Sequence, residues 1–301
     1  MAGLLERDDG AGGGGHDAFE AERGRLFQLA YRMLGSASDA EDMLQETFIR
    51  WHGAARAGIR DTTGWLVATC TRLCIDELRS ARRRRERYVG PWLPEPLLSE
   101  APAADRAIER AQDVDYAFLL LLERLGPVER AIFLLHDIFE MPHARLAALL
   151  GRSEASVRQT LSRARRRLGA APARPPLPEA ERTRLAAAFF AALRSGDPSA
   201  LAATLARDAE LWSDGGGKVI AARNVIAGRE RTVRFLAGLR RKQPPGMSAR
   251  PVRVNGGPGL LLLKDGAVHS LFTLGFDPAG AISGVYVLRN PDKLAQATAF
   301  A

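Results

Sequence analysis

The residues best suited to chemistry in this chain are the arginines and the glutamine of EMPHARLAALLGRSEASVRQTLSRARRRLG, which runs from Glu140 to Gly169. Guanidinium and carboxamide groups donate in pairs to base edges in a DNA major groove, and further arginines neutralise phosphates. Such contacts need a helix with one face packed and the other free. Val157, Leu161, Ala164 and Leu168 recur at spacings of four, three and four and form one inward stripe. Ala155, Gln159, Ser162, Arg163 and Arg166 fall on the opposite side. Upstream, Leu146, Leu149 and Leu150 give a shorter helix its apolar side. Gly151 can take the positive φ that ends it, and Ser153 is placed to cap the next helix. Two helices, a tight turn and an arginine-rich second helix predict a helix-turn-helix that enters a groove. A solvated basic helix is the bland alternative; the turn glycine at this spacing argues against it.

The remaining charge is distributed in the same spirit. The 301 residues carry 43 Lys plus Arg against 35 Asp plus Glu, a net charge of +8. Arginine clustering favours a polyanionic partner over a merely solvated surface. A second cluster, Arg72, Arg79, Arg82, Arg83, Arg84, Arg85 and Arg87, crowds one long helix. Asp39, Glu41, Asp42 and Glu46, with Gln45 among them, make the start of another helix acidic. Cys70 and Cys74, the only cysteines, are too few for structural zinc and read as core; no metal or cofactor is expected. No apolar run is long enough to span a bilayer, and the N-terminus lacks the charge and apolar pattern of a signal peptide, so a cytoplasmic protein is expected.

The elements that position these groups fall into blocks. Residues 1–16 are glycine-rich and expected to be a disordered tail. Residues 17–89 read as helices, with stripes at Phe27, Tyr31 and Leu34, at Leu44, Phe48 and Trp51, and at Trp65, Leu66, Thr69, Cys70 and Leu73. Ser38 with Glu41 suggests a capping box for the second of them. A proline-rich linker covers 90–105, a second helical block with the helix-turn-helix covers 106–170, and APARPPLP marks another linker at 171–178. Residues 179–294 begin with two helices. Strand-like runs follow at AELWS, KVIAA, SARPVRVN, GLLLLKD, AVHSLFTLGF and ISGVYVLR, interrupted by a helix near Arg229 to Arg241. This predicts an α+β domain with an antiparallel meander, followed by a tail at 295–301.

SASDAEDMLQETFIRWH, then GWLVATCTRLCIDELRS, then GPVERAIFLLHDIFEMP with the helix-turn-helix, resemble regions two and four of the extracytoplasmic-function sigma factors of bacterial RNA polymerase. WLPEP (Trp92 to Pro96), DGGGK (Asp214 to Lys218) and NPDKL (Asn290 to Leu294) resemble the subgroup with a fused C-terminal SnoaL-like domain. The resemblance implies a multidomain fold: two all-α sigma domains, region two of three to four helices and region four with the helix-turn-helix, followed by an α+β cone. It implies that Asp39, Asp42, Gln45 and Glu46 dock on the β′ coiled coil of core RNA polymerase, with the β flap as a second polymerase contact. Arg56, Arg60, Thr63, Trp65, Asp76, Arg79 and Arg83 match the part that opens the minus-ten element. Ser153, Ala155, Ser156, Arg158, Gln159, Ser162, Arg163 and Arg166 match the helix that reads the minus-thirty-five element. Promoter DNA is the implied second partner, with no membrane partner and a monomer when free.

In the subgroup the last domain is understood as a regulator within the same chain, which makes Trp92, Pro94, Asp214, Gly215, Gly216, Gly217, Lys218, Asn290, Pro291, Asp292 and Lys293 candidate contact or switch residues. Many SnoaL-like relatives bind ligands, which leaves room for a small molecule in this domain. Asp214, His269 and Asp277 are the acid–base candidates, without a catalytic spacing among them. The rival reading is a DNA-binding regulator whose last domain senses or processes a ligand.

Overall fold

The computed structural model describes residues 13–55, 58–85, 88–100, 115–169 and 177–301. The chain forms two compact units, one from residues 1–81 and 125–167, the other from 82–124 and 168–301.

The first unit is helical. Helices α1 (Gly13–Leu34), α2 (Ala37–His52) and α3 (Thr62–Arg85) enclose Leu26, Tyr31, Leu44, Trp51, Leu66, Cys70 and Cys74. Both cysteines are free and buried, as core packing requires. Helix α1 begins within the glycine-rich stretch expected to be a tail, and residues 1–12 lie outside the described residues. The cap of α2 is Ser36, not Ser38: the chain reverses at Gly35 (φ 68°), and the Ser36 hydroxyl accepts from the Asp39 amide at 3.1 Å. Ser38 is already helical, and Glu41 pairs instead with Arg23 at 2.6 Å.

The rest of this unit comprises α5 (Pro127–Phe133), a π-helical turn (Leu134–Ile138), α6 (His143–Leu150) and α7 (Glu154–Leu168). Gly151 adopts φ 62°, and the Arg152 amide closes the turn on the Ala147 carbonyl at 2.9 Å. Ser153 Oγ accepts from the Ser156 amide at 3.2 Å and caps α7. Val157, Leu161 and Ala164 are buried as the periodicity predicts, joined by Thr160.

In the second unit, α8 (Glu179–Ser195) and α9 (Pro198–Thr204) lead into a seven-stranded sheet with spatial order β1-β4-β5-β6-β7-β2-β3. The strands are β1 (Leu98–Ser99), β2 (Leu205–Asp214), β3 (Ile226–Ala227), β4 (Met247–Val254), β5 (Gly257–Lys264), β6 (Ala267–Phe276) and β7 (Ile282–Leu288). Helix α10 (Arg229–Arg241) follows β3. The expected meander holds for β4 to β7, but β2 runs parallel to β7. KVIAA is not a strand: Lys218 and Val219 close a turn on the Gly215 carbonyl, and Ile220 stands 88% exposed.

Alternate residues of β5, β6 and β7 serve two cores, as the two-residue period dictates. Phe272, Val285 and Val287 join Phe189 of α8, Leu201 of α9 and Leu236 of α10. Leu261, Leu271, Tyr286 and Leu288 join Leu93, Leu294 and Tyr116, the last from helix α4 (Tyr116–Leu122). The segment read as a linker therefore supplies part of the second core. Leu93 is fully buried, the Tyr116 hydroxyl donates to the Pro94 carbonyl at 2.6 Å, and β1 pairs antiparallel with Arg253 and Val254. The expected tail is also structured: a 3-10 turn (Ala295–Phe300) buries Ala297 and brings Phe300 against the same core.

Candidate promoter-binding surface and connector latch

The free face of α7 presents Ser153, Ala155, Arg158, Gln159, Ser162, Arg163 and Arg166 to solvent, with Ser156 half-buried. Its arginines divide by function. Arg165 is tied to Asp137 by two bonds of 2.6 and 3.0 Å, and Arg167 to Glu129 at 2.6 Å. Burial pushes the Asp137 carboxyl up, but hydrogen bonds from Arg165 and His136 outweigh it and hold the acid below its usual range. These two arginines therefore fix the helix on α5 and the π turn, while Arg163 and Arg166 project. The sequence periodicity put Arg163 and Arg166 on the outer side and gave no role to Arg165 or Arg167.

On α2, Asp42 and Gln45 are exposed and Asp39 and Glu46 half-buried; Glu46 pairs with Arg50 at 2.8 Å. Ile49, 55% exposed, lies one turn beyond Gln45 on this surface. Sequence reasoning passed over it, although an isoleucine outside the Leu44–Phe48–Trp51 stripe was the available signal.

The minus-ten candidates are only partly brought together. Trp65 packs its ring 5.4 Å from Trp51, Thr63 donates to Glu22 at 2.8 Å, and Asp76 and Arg79 pair with each other at 2.9 Å. Arg60 is exposed. Arg56 and the Arg83 side chain lie outside the described residues. Asp61, which was not singled out, both caps α3 through the Gly64 amide and holds Arg145 of α6 at 2.5 Å. Within this unit Arg130 also donates to the Met33 carbonyl (2.6 Å) and Arg72 to the Leu149 carbonyl (3.0 Å), while Arg25 and Arg32 stack on Phe139. The block that carries the helix-turn-helix is thus clasped against α1, α3 and the turn before α3.

In the second unit the three short motifs meet at one buried carboxylate. Asp214, fully buried, accepts from the Tyr88 hydroxyl (2.7 Å) and the Gly216 amide (2.9 Å) on Oδ1, and from the Leu93 amide (2.9 Å) and Lys293 Nζ (2.7 Å) on Oδ2. Four donors fill the acceptor positions of one carboxylate. Lys293 also donates to the Leu93 carbonyl and lies 4.3 Å from the Trp92 ring centre and 5.1 Å from that of Tyr88. Asn290 donates to the Tyr88 oxygen at 2.8 Å, and Lys218 pairs with Asp292 at 2.7 Å on the surface. Gly216 has φ 62°, and a Cβ there would lie 2.4 Å from Asn290 Nδ2. Gly217 abuts Val89, and turns closed on the Gly215 and Asn290 carbonyls leave Asp214 and Lys293 facing inward while Lys218 and Asp292 stay at the surface. Burial, then the bond to Asp214, pushes the Tyr88 phenol up, so it stays a donor. Tyr88 is the member the sequence did not reveal.

The acid–base candidates are not assembled. Asp214 is spent on this latch, Asp277 caps its own turn through the Ala279 and Ala281 amides, and His269 faces Arg289 at 3.2 Å. No group of three or more His, Cys, Asp or Glu suited to a metal ion occurs among the described residues. None of the described helices is long and apolar enough to cross a membrane.

A helix-turn-helix with a projecting arginine face, preceded by an acidic helix and an arginine-rich one, defines a protein of the sigma-70 class. Residues 18–84 match Sigma-70 region 2, and residues 116–168 match Sigma-70, region 4. The chain is 39% identical over 232 residues to the ECF RNA polymerase sigma factor SigJ of Mycobacterium tuberculosis, covering 76% of this chain and 74% of the relative. It is 33% identical over 282 residues to the probable ECF RNA polymerase sigma factor SigI of the same species, covering 92% and 93%. The crystal structure of the M. tuberculosis extracytoplasmic function sigma factor SigJ superposes with a TM-score of 0.74 at 32% identity, over 93% of this chain and 98% of that one. The chain belongs to the extracytoplasmic-function sigma factors of RNA polymerase, which initiate transcription, and it carries a helix-plus-sheet domain behind regions two and four.

Proposed function

We propose that this sigma factor is held closed in cis by its last domain, through the Asp214 latch on the connector. The connector is the covalent tether between the two promoter-binding blocks, so holding it restricts how far they can separate. The observation that carries this reading is the fully buried Asp214, which spends two of its four hydrogen bonds on the connector, here the described segment 88–100 that follows α3, at Tyr88 and Leu93. The Asp61–Arg145 clasp supports it from the other unit, because it ties the minus-ten loop to the helix-turn-helix. Core polymerase, engaging Asp39, Asp42, Gln45, Glu46 and Ile49 through the β′ coiled coil and region four through the β flap, would bind the open state better and shift the population. Opened, α7 reads the minus-thirty-five element with Gln159, Arg163 and Arg166, while Arg60, Trp65 and Arg79 engage the minus-ten element. The protein acts by binding, without bond-making chemistry of its own, in the cytoplasm with the polymerase.

Run-off transcription with limiting core polymerase and the gene's own upstream region tests the closed state. Asp214→Asn and Lys293→Met raise transcript yield relative to the unaltered protein. Unchanged yield, in protein that remains folded and whose Leu93 amide exchanges faster, would overturn the reading.

A further inference from the structure

The second unit contains a cavity of about 1590 Å³ that no part of the promoter-binding reading uses. Its walls are apolar: Ala186 and Phe190 of α8 face Leu260, Leu262, Phe272 and Val287 of the sheet. It exceeds the ~300–1,000 Å³ usual for small-molecule sites, so a drug-sized apolar body fits without rearrangement. Its charge is one-sided. Seven Lys and Arg side chains line it against a single carboxylate, Glu179, and that carboxylate is bound to Arg253 at 2.6 Å.

One cation stands out. Arg289, half-buried at the end of β7, spends one amino group on the Ile220 carbonyl and the other on His269 Nε2 at 3.2 Å. Its buried Nε has no hydrogen-bond partner, and no carboxylate among the described residues pairs with it. A guanidinium only donates, so His269 Nε2 must accept; Nδ1 then carries the proton and faces Ser270 Oγ at 3.2 Å. Burial, with Arg289 and Lys264 nearby, pushes the His269 imidazole down, consistent with this neutral form. The site thus holds a half-buried positive charge beside apolar walls with no protein carboxylate paired to it, an arrangement that a bound anion would stabilise.

We propose that this cavity binds an amphipathic organic acid, its apolar body between α8 and the sheet and its carboxylate on Arg289. The placement also couples the site to the latch. The Arg289 amide donates to the Asp214 carbonyl at 2.7 Å, and Val89 of the connector and Gly217 of DGGGK line the cavity rim. Binding itself does not depend on the latch reading; only its effect on transcription does, so the two can fail separately.

The test uses the full chain, with anilinonaphthalene sulfonate fluorescence reporting occupancy, and decanoate and decanol as competitors. Decanoate displaces the dye at least tenfold more effectively than decanol. Arg289→Gln removes that preference while circular dichroism stays unchanged, and Arg289→Lys keeps most of it. Equal displacement by acid and alcohol, an acid preference that survives Arg289→Gln, or no dye binding by the folded protein would each overturn the proposal.

Discussion

Replacing Asp214 by asparagine is the sharpest perturbation of the latch, because it keeps the shape of the side chain and changes only its charge and acceptors. Oδ1 faces Tyr88 and Gly216, and Oδ2 faces Leu93 and Lys293, all four as donors. An amide offers one oxygen and one NH2 group. If the oxygen stays toward Leu93 and Lys293, the NH2 can donate to a reoriented Tyr88 hydroxyl, but it then confronts the Gly216 N–H. The reverse orientation sets NH2 against an ammonium and a second N–H. Removing one partner of a buried charge pair costs about 3–5 kcal/mol. Lys293 is 13% exposed and can swing toward water, which lowers the expected loss to roughly 2–4 kcal/mol. Urea unfolding of the full chain, followed by far-ultraviolet circular dichroism, reads this as a lower midpoint for the second unit. Hydrogen exchange reads it as lost protection at the Leu93 amide. In a cycle with Lys293→Met, the two losses combine to less than their sum by at least about 1 kcal/mol, because both remove one pair. A loss below about 1 kcal/mol with Leu93 still protected would refute the claim that this carboxylate holds the connector.

Gly216→Ala places a Cβ 2.4 Å from Asn290 at φ 62°, so the turn must shift; a loss of more than about 1 kcal/mol is expected by denaturation, with Gly151→Ala as a comparison that meets no neighbouring atom. The Tyr88 phenol is raised in the folded chain, so the folded state keeps its proton while the unfolded state loses it above pH ~10. Stability therefore falls as pH rises past that point, by up to about 1.4 kcal/mol per pH unit for this group, and Tyr88→Phe should remove its share of the alkaline slope and leave that of the likewise raised Tyr286. Arg145→Ala breaks an exposed pair and should cost under about 1 kcal/mol, whereas Arg130→Ala removes a buried charged donor and should cost about 1.5–3 kcal/mol; equal losses in thermal unfolding would contradict this ranking. Arg163→Ala and Arg166→Ala should each weaken promoter binding and flatten its salt dependence, while Arg165→Ala should act on stability through Asp137; a salt slope lowered most by Arg165→Ala would reverse the assignment.

The helix-turn-helix was legible because its determinants are local. Gly151, Ser153 and the Val157–Leu161–Ala164 stripe lie within one turn of what they decide. The cap of α2 was misplaced by two residues because Ser36 and Ser38 are chemically alike, and only the reversal at Gly35 separates them. Tyr88 was out of reach for a different reason: its partner lies 126 residues away, and nothing around position 88 marks it. KVIAA has strand composition, but the turn at Gly215 commits Lys218 and Val219 before a strand can start.

The connector shows where a signal was present and unused. GLLLLK in β5 places leucines on both faces of the sheet, and a strand apolar on both sides must be covered on both. Helices α8, α9 and α10 account for one face. The other, with Leu261, Leu271 and Leu288, needed a cover that the domain's own helices could not provide. Leu93 and Leu98 in the connector and Tyr116 in α4 supply that cover from outside the domain, the first two from a stretch where periodicity reads only proline and loop. Burial of the second sheet face thus requires what the motif resemblance left unexplained, namely that the tether between the two promoter-binding blocks is a structural part of the helix-plus-sheet domain.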